Sequence, residues 1–433
     1  MHWTPSSYTS VGASYGKVVR IIKMKPSAES IHTFDSFGRV LYNDIISNVD
    51  IPARNSSHMD GFGVRYVDIK ETSRDHPVIL KVARQMRFDI LPNPFLHRRE
   101  AIRISTGGYL PPGADTVIPI EYTEPVHKNR SIKIYSSFPR GSFISYAGNE
   151  IKKKALLLHK GHIVRAQDLA LISMLGISRI KVFRKPIIAI IPTGSELTDN
   201  LDDINKGKIL NTNSRIISRL IEASGGLSLD LGVTKDKINE LQRKIKLALV
   251  QSDIIITTGG SSVGARDLVA ESINRLGKPG ILVHGIKLDR GRVIGLAVLK
   301  SKPIIILPGP VQGAINGFIV FVLPLLRAML GLTTDKNGII IARLVHSWHA
   351  RKKFQSFLKI LYVKLGRSRF GDIQAIPITG ETTNITVLTR ANGFVMVPEG
   401  VTMMNKGQQI KVNLLPGLSF SSGNPIDFIY SSR

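Results

Sequence analysis

Glycine-containing segments follow apolar runs at three places between residues 187 and 310, and two of these segments end in a carboxylate. Glycines let the backbone approach a phosphate closely, and serine hydroxyls add hydrogen-bond donors. Carboxylates beside such a cradle are how proteins commonly hold Mg²⁺. The residues that fit this chemistry are Thr193, Gly194 and Glu196 in the first segment, Gly259, Gly260, Ser261, Ser262, Gly264 and Asp267 in the second, and Pro308 and Gly309 in the third.

The second segment has two interpretations on local sequence alone. It is either a phosphate cradle or a glycine-rich turn that Asp267 caps at the start of a helix. It is not a Walker loop, because the Lys-Ser or Lys-Thr pair after the last glycine is missing. Glu196 and Asp267 each also fit a helix cap or a surface charge, but as a pair they predict a magnesium site.

A domain of alternating strands and helices is predicted to position these segments. Strands are expected at residues 187–191 and 253–257, and helices at 214–223 and 237–250. The alternation is typical of an α/β domain with a largely parallel sheet. In such sheets ligands bind beyond the carboxyl ends of the strands, so we expect the three segments to form one site at that edge.

Two further helices are predicted in the first half of the chain. The first contains four apolar residues at helical spacing: Ile31, Phe34, Phe37 and Leu41. The second carries Leu169, Ile172 and Leu175, ends at Gly176 and leads into a strand at residues 179–183.

Regions of short β-type runs are predicted at residues 51–148 and from about residue 337 to the end, with strands such as 132–135, 386–389 and 394–397. The first region contains two polar, turn-rich loops, 55–62 and 105–115, whose simplest interpretation is as connections. His58 lies in the first loop, and with no second histidine at ligand spacing we expect a structural or solvent-facing role for it.

The predicted fold is therefore multidomain, with α/β and β parts. A central α/β domain is accompanied by a β-rich inserted domain, an N-terminal α/β segment domain and a small C-terminal β-barrel-like domain. The predicted boundaries are 15–53 with 149–184 for a discontinuous N-terminal linker domain, 54–148 for the inserted domain, 185–332 for the nucleotide-binding α/β domain and 333–425 for the C-terminal domain.

Composition narrows the class of protein. The chain has 433 residues, of which 43% are hydrophobic and 21% charged, as in a folded soluble protein. The absence of cysteine excludes disulfides, thiolate nucleophiles and Cys-based metal sites. We expect a cytoplasmic protein, because residues 1–17 do not form a signal peptide and the most apolar window, 314–330, is predicted to be a buried helix. The net charge of +27 favours anionic partners without choosing among them.

In their joint order these segments resemble the molybdopterin molybdotransferase family, which includes the E domain of gephyrin, over nearly the whole chain. The family's N-S-A-M-D-G-Y-A is similar to residues 55–63, its T-G-A-x-x-P-x-G-A-D-x-V to 106–117 and its G-E-D-I to 148–151. Its P-T-G-D-E-L is similar to 192–197, its T-G-G-V-S-V-G-x-x-D to 258–267 and its L-P-G-N-P to 307–311.

The resemblance implies a three-layer α/β domain of the molybdopterin-binding type and a homodimer in which the inserted domain of one subunit faces the α/β domain of the other. The implied reaction inserts molybdate or tungstate into adenylylated molybdopterin with Mg²⁺ and releases AMP. Arg290 and Arg292 would hold the oxyanion, and Glu196 and Asp267 the metal. The catalytic residues implied are Asp60, Thr106, Glu150, Glu196, Asp236 and Asp267.

The chain departs from the family at several positions. Asp289-Arg290-Gly291-Arg292-Val293 replaces K-P-G-K-P, which changes the anion site because arginine and lysine are not interchangeable there. The others are Ser195 and Glu150 where the family has aspartate, Pro310-Val311 where it has Asn-Pro, and Thr382 in place of a serine. These changes are compatible with a paralogue that selects tungstate and with one that has lost activity.

Two other functions stay open at this point. One is a pterin- or nucleotide-binding scaffold without turnover, which the altered anion segment would allow. The other is a nucleic-acid-binding protein that uses the basic surface, although only 6% of the residues are aromatic and the common nucleic-acid-binding patterns are missing.

Overall fold

The computed structural model describes residues 8–22, 25–83, 95–259, 267–332, 338–368, 371–380 and 385–415. The chain divides into two units. The first comprises Met1–Ile31, Gly38–Tyr42 and Lys181–Arg433, and the second comprises His32–Phe37 and Asn43–Ile180.

The α-helices of the described chain are α1 (Val11–Ile21), α2 (Tyr66–Ile69), α3 (Ala166–Met174), α4 (Thr212–Ala223), α5 (Ile238–Gln251), α6 (Leu268–Leu276), α7 (Val311–Gly317), α8 (Leu323–Met329) and α9 (Ile385–Arg390). The strands up to residue 183 are β1 (Ala28–His32), β2 (Ile45–Ile46), β3 (Ser56–Ser57), β4 (Gly61–Val64), β5 (Val78–Val82), β6 (Glu100–Ile104), β7 (Thr116–Pro119), β8 (Thr123–Val126), β9 (Ser131–Ile134), β10 (Ile144–Ser145), β11 (Leu156–Leu158) and β12 (Arg179–Phe183). The later strands are β13 (Ile187–Pro192), β14 (Leu197–Thr198), β15 (Ile209–Leu210), β16 (Leu227–Asp230), β17 (Ile254–Thr258), β18 (Pro279–His284), β19 (Gly295–Leu299), β20 (Lys302–Leu307), β21 (Ile339–Leu344), β22 (Trp348–His349), β23 (Lys359–Arg367), β24 (Ile373–Pro377), β25 (Gly393–Val397), β26 (Met403–Met404) and β27 (Gln409–Leu414).

The second unit is built on a largely antiparallel sheet with the strand order β7-β4-β6-β5-β9-β8. Its core contains buried side chains from several strands, among them Val64, Leu80 and Ile134. β9 coincides with the strand predicted at residues 132–135. The predicted β-rich fold of this region is thus confirmed.

The first unit contains the predicted α/β sheet, with the strand order β16-β13-β17-β20-β19-β18. β16, β13, β17 and β20 run parallel to one another. β19 pairs antiparallel with β20, and β18 pairs antiparallel with β19. All residues of β17 are buried, as expected for a parallel strand covered by helices on both faces. Because the carboxyl ends of β13, β17 and β20 meet at one edge, residues 193–196, 259 and 308–310 follow neighbouring strands there.

The most apolar helix of the described chain lies inside the protein. Val311–Met329 is long and apolar enough to cross a membrane by length and composition, but 78% of its most apolar window is buried. It consists of α7, a wider π-helical segment at Phe318–Val322 and α8. The prediction of a buried helix here is confirmed.

The C-terminal part of the first unit is a small barrel, closed in the order β21-β24-β23-β25-β27. This confirms the predicted β-barrel-like domain. The strand predicted at residues 386–389 was wrong, because Ile385–Arg390 is a helix. Val387 is buried while Ile385 stays exposed, so packing of one side chain outweighs the strand preference of the β-branched run.

The helix predicted around Phe34 and Phe37 was also wrong. β1 ends at His32, a short 3₁₀ turn covers Thr33–Ser36, and both phenylalanines are more than 60% exposed. The buried residues of the turn are instead Thr33 and Ser36, whose hydroxyls donate to the carbonyls of Ile177 and Thr33. Four apolar residues at helical spacing were too short a pattern to distinguish a helix from a hydrogen-bonded turn.

Candidate functional site

A cleft of about 200 Å³ lies at the edge of the sheet where β13, β17 and β20 end. It is lined by residues from all three predicted segments and from the start of α4. The lining residues are Thr193, Glu196, Leu197, Ile209, Leu210, Asn211, Thr212, Asn213, Thr258, Gly259, Gly309 and Val311. The structure therefore brings together five of the residues predicted from sequence: Thr193, Glu196, Gly259 and Gly309, with Gly194 next to them.

The loops after β13 and β17 are in direct contact at the bottom of the cleft. The amide of Thr193 donates to the carbonyl of Thr258 (2.8 Å), and the amide of Gly259 donates to the carbonyl of Leu307 (3.1 Å). Gly259 has φ +87°, and a Cβ there would lie 2.3 Å from the carbonyl oxygen of Thr193. Gly259 is thus required for close approach, while its amide is already used within the protein.

The loop after β13 is braced by Asp236. Its carboxylate accepts from the amide of Ser195 (3.0 Å), and its own amide donates to the Ser195 hydroxyl (3.2 Å). Lys208 donates to the Ser195 carbonyl (2.7 Å). Ser195, which stands where the family motif has aspartate, therefore orders the loop and leaves Glu196 as its exposed carboxylate. The Glu196 carboxylate lies against Gly194, where a Cβ would meet Oε1 at 2.5 Å.

The start of α4 is the part of the cleft that sequence reasoning missed. The Asn211 side chain caps the helix by accepting from the Ser214 amide (3.4 Å), and the Asn213 side chain donates to the carbonyl of Gly309 (2.7 Å). Thr212 and Asn213 lie in the first helical turn, whose amides have no partners within the helix. A helix was predicted at residues 214–223, but not that its start would face the cleft.

Asp267 caps α6 and does not line this cleft. Its Oδ1 accepts from the amide of Ala270 (2.9 Å), and its Oδ2 lies 3.2 Å from His284 Nε2. Oδ2 is buried and accepts no hydrogen bond within the described residues. His284 lies at the end of β18 and was missed from sequence, because no local pattern links it to Asp267.

A second pocket, of about 310 Å³, contains the residues that replace the family's K-P-G-K-P. Arg290 donates to the Gln312 side chain (2.6 Å) and to the carbonyl of Gly380, whereas Arg292 is exposed. Arg351 pairs with Asp289 in the same pocket. The lining residues are Asp289, Arg290, Gly291, Arg292, Val293, Pro308, Pro310, Gly313, Arg351 and Phe354.

The predicted residues of the second unit lie in exposed loops. Asp60 Oδ1 accepts from the amide of Thr106 (2.7 Å) and from its hydroxyl (3.3 Å), so these two residues are brought together. Glu150 is exposed, and its amide donates to the carbonyl of Ile51 (3.1 Å). His58 is exposed, in agreement with the role expected for it.

Five of the positions named from sequence lie outside the described residues, namely Gly260, Ser261, Ser262, Gly264 and Thr382. Within the ranges that are described, three or more His, Asp or Glu side chains do not come together as a metal site. Mg²⁺ does not need such a cluster, because it usually keeps several waters and takes one or two carboxylates together with substrate phosphates.

Three family models match the chain in succession. The MoeA N-terminal region (domain I and II) matches residues 10–176, the probable molybdopterin binding domain matches 189–328, and the MoeA C-terminal region (domain IV) matches 342–415. The middle model spans the six-stranded sheet and the glycine-containing loops that line the cleft and the second pocket. Fold and site together therefore define the class, a MoeA-type protein built around a molybdopterin-binding domain.

Named relatives agree with this class. The molybdopterin molybdenumtransferase of Bacillus subtilis (strain 168) is 31% identical over 385 residues, 88% of this chain and 88% of that protein. That of Staphylococcus epidermidis is 29% identical over 409 residues, 93% of this chain and 95% of that protein. The molybdopterin biosynthesis moeA protein from Pyrococcus horikoshii has a similar structure, with a TM-score of 0.82 and 33% identity, covering 95% of this chain and 100% of that one. The chain belongs to the molybdopterin molybdenumtransferase family, enzymes of molybdenum cofactor biosynthesis, which confirms the resemblance seen in its motifs.

Proposed function

We propose that this chain inserts molybdate or tungstate into adenylylated molybdopterin, in a Mg²⁺-dependent reaction that cleaves the phosphoanhydride and releases AMP. The observation that carries the proposal is the cleft at the carboxyl edge of the parallel strands, which adjoins a separate pocket rich in arginine. A substrate with a phosphate group and an incoming oxyanion require two such anion sites close to each other.

The phosphate group is assigned to the cleft. The amides of Thr193, Gly194 and Gly259 are used within the protein, donating to Thr258, Thr234 and Leu307. Donors for the phosphate come instead from the start of α4, where Thr212 and Asn213 line the cleft. The glycines contribute space, since a Cβ on Gly259 would strike the neighbouring loop. A helix N-terminus favours an anion through its unpaired amides and its dipole.

Glu196 and Asp267 are assigned to Mg²⁺. The fit rests on two observations. Glu196 is an exposed carboxylate of the cleft. Asp267 lies outside the cleft lining, and its buried Oδ2 is 3.2 Å from His284 Nε2 but accepts no hydrogen bond within the described residues. When bound, the ion would neutralise charge on the phosphoanhydride and polarise its phosphoryl oxygens. Asp236 acts on the same loop by holding Ser195, which fixes where Glu196 stands.

The oxyanion is assigned to the second pocket. Arg292 is its exposed cation, and Arg290 is held in place by Gln312 and the Gly380 carbonyl. Guanidinium groups suit a tetrahedral dianion because they present several donors in a fixed plane. In the second unit, the Asp60–Thr106 pair and Glu150 are assigned to the reaction by their match to the family's motifs, and the active assembly is a homodimer.

The test is AMP release from adenylylated molybdopterin with Mg²⁺, measured with molybdate, with tungstate and with neither. Glu196→Gln keeps the size of the side chain and removes its charge, so we expect at least a tenfold loss of release. Glu71→Gln, at a carboxylate 85% exposed in the second unit, is the matched control and should behave like wild type. Glu196 is preferred to Asp267 because Asp267 also caps α6.

The oxyanion that supports AMP release, molybdate or tungstate, identifies the metal that the enzyme inserts. If the protein binds pterin but releases no AMP under any condition, the proposed transferase activity is refuted and the non-catalytic scaffold is favoured. Equal release by wild type and Glu196→Gln would remove Glu196 from the proposed magnesium site while leaving the reaction in place.

A further inference from the structure

The backbone of the arginine-rich pocket adopts an unusual conformation at Arg290. Its φ is +57°, in the left-handed region that favours glycine. The family motif K-P-G-K-P has proline at this position, and the proline ring fixes φ at about −65°. The loop of this chain therefore has a shape that the family's own residue excludes, and contacts from elsewhere in the protein must hold it.

The buried side chain of Asn316, on α7, supplies such contacts. Its Nδ2 donates to the carbonyls of Asp289 (3.3 Å) and Arg290 (3.4 Å), which belong to the two peptide groups that flank the Arg290 Cα. The Tyr362 hydroxyl, on β23, donates to Asn316 Oδ1 (2.8 Å). Because carbonyls only accept hydrogen bonds, this arrangement fixes which end of the Asn316 amide faces the loop.

The same helix contacts the loop at two neighbouring positions. A Cβ on Gly313 would lie 2.9 Å from the carbonyl oxygen of Arg290, so the helix approaches the loop as closely as a glycine allows. Asn316 is three residues further along and lies on the same side of the helix. The Gln312 side chain, which is 1% exposed, accepts from the Arg290 guanidinium (2.6 Å). α7 thus holds both the backbone and the side chain of Arg290.

We propose that Asn316 is a positioning residue of the oxyanion pocket. By holding the two peptide groups around Arg290 it keeps the left-handed turn, and this turn directs the guanidinium to Gln312 and the Gly380 carbonyl. The inference rests on the proposed function, because it assumes that this pocket takes the oxyanion. It implies that the affinity for the anion depends on backbone shape at position 290 as well as on charge.

The first test measures tungstate binding to full-length variants by calorimetry. Asn316→Leu nearly keeps the size of the side chain and removes both donors, so the dissociation constant should rise about tenfold. Tyr362→Phe leaves the donors in place but lets the amide turn, so the rise should be smaller, about threefold.

Asn392→Leu is the matched control. Asn392 also bonds to backbone, accepting from the amide of Leu365 (2.6 Å) and donating to its carbonyl (3.3 Å), but it lies outside the lining of the pocket. Its replacement should lower the melting temperature and leave the tungstate affinity unchanged. A general loss of stability is thereby separated from a loss of the anion site.

Amide hydrogen exchange in residues 287–294 reports the loop whether or not an anion binds. The amides of Asp289 and Gly291 donate to the carbonyls of Leu358 (2.8 Å) and Leu288 (3.1 Å). Exchange at these amides should be about fivefold faster in Asn316→Leu and unchanged in Asn392→Leu.

Two substitutions at position 290 separate backbone shape from charge. Arg290→Gly and Arg290→Pro both remove the guanidinium, but glycine accepts a positive φ whereas proline does not. Arg290→Pro should therefore bind tungstate about tenfold more weakly than Arg290→Gly. Melting temperatures show which variants are folded, and this pair decides the question if Asn316→Leu does not fold.

The outcomes differ in what they overturn. Unchanged tungstate affinity in Asn316→Leu overturns the inference, even if exchange in the loop is faster, and so does equal affinity of Arg290→Pro and Arg290→Gly. If wild type binds neither tungstate nor molybdate, the oxyanion assignment under the proposed function fails and the part of Asn316 in anion binding falls with it. Faster exchange in Asn316→Leu would then still show that Asn316 holds the loop.

Discussion

Replacing Gly259 by alanine tests whether the cleft depends on contact between the loops after β13 and β17. The residue has φ +87°, and a Cβ would lie 2.3 Å from the carbonyl oxygen of Thr193. The left-handed conformation costs an alanine about 1–2 kcal/mol. Relieving the contact adds about 1–3 kcal/mol, the usual range for overpacked sites. The loops cannot simply separate, because β13 and β17 are hydrogen-bonded along their length and buried.

The assay is the thermal midpoint of the variant protein compared with two other glycine variants. Gly207→Ala has the same conformational cost, with φ +80°, but open space around the new Cβ. Gly309→Ala lies in the cleft lining and has neither problem. The two costs together are about 2–5 kcal/mol. For domains of 150–250 residues, 1 kcal/mol corresponds to roughly 2–4 °C, so we expect Gly259→Ala to melt about 4–20 °C below wild type. Gly207→Ala should lie in between, and Gly309→Ala close to wild type.

The comparison separates steric contact from backbone conformation. A midpoint for Gly259→Ala equal to that of Gly207→Ala would refute the contact with Thr193, since both would then show only the cost of a positive φ. A midpoint well below it, together with weaker binding of AMP, would support a cleft whose shape depends on this approach.

Two further predictions concern charged and polar groups that stabilise the units. Hydrogen bonds from the side chains of Arg165 and His162 outweigh burial and lower the pKa of Asp168 from its ordinary 3.8. The ionised Asp168 carboxylate therefore stabilises the fold above pH 3.8, and this contribution is lost as the pH falls through the lowered pKa of the folded protein. Asp168→Asn should lower the free energy of unfolding by about 1.5–3 kcal/mol at pH 7. The difference in melting temperature between this variant and wild type should shrink below about pH 4. Tyr362→Phe removes the donor to Asn316 Oδ1 (2.8 Å) in the core and should cost about 1–3 kcal/mol by calorimetry, and an unchanged midpoint would contradict that bond.

The parts of the fold that the sequence predicted correctly are those in which local and tertiary preferences agree. β13 is a continuous apolar run followed by Thr193 and Gly194, which predicts a buried parallel strand and a ligand loop at once. The position of the cleft could be predicted because three strands of this kind, β13, β17 and β20, end at one edge of the sheet. The segment around Phe34 and the helix Ile385–Arg390 could not be found, because tertiary contacts decided against the local pattern.

Side chains that reach a site from distant parts of the chain were beyond sequence reasoning. The Asn213–Gly309 bond joins residues 96 positions apart, and the Arg351–Asp289 pair joins residues 62 apart. Neither has a local pattern that distinguishes it from an ordinary surface residue. His284 beside Asp267 is a third case, and it was missed for the same reason.

The segment 308–311 lines two pockets, the ones assigned to phosphate and to oxyanion under the proposed function. Pro308 and Pro310 line the arginine-rich pocket, while Gly309 and Val311 line the cleft at the sheet edge. Pro310 is extended, with φ −60° and ψ 125°, and along extended backbone successive residues face opposite sides. The two sites therefore share a wall one residue thick, so a shift of this loop on binding in one site changes the other. Such a shared wall suits the reaction that we propose, in which oxyanion entry and phosphoanhydride cleavage occur on the same substrate.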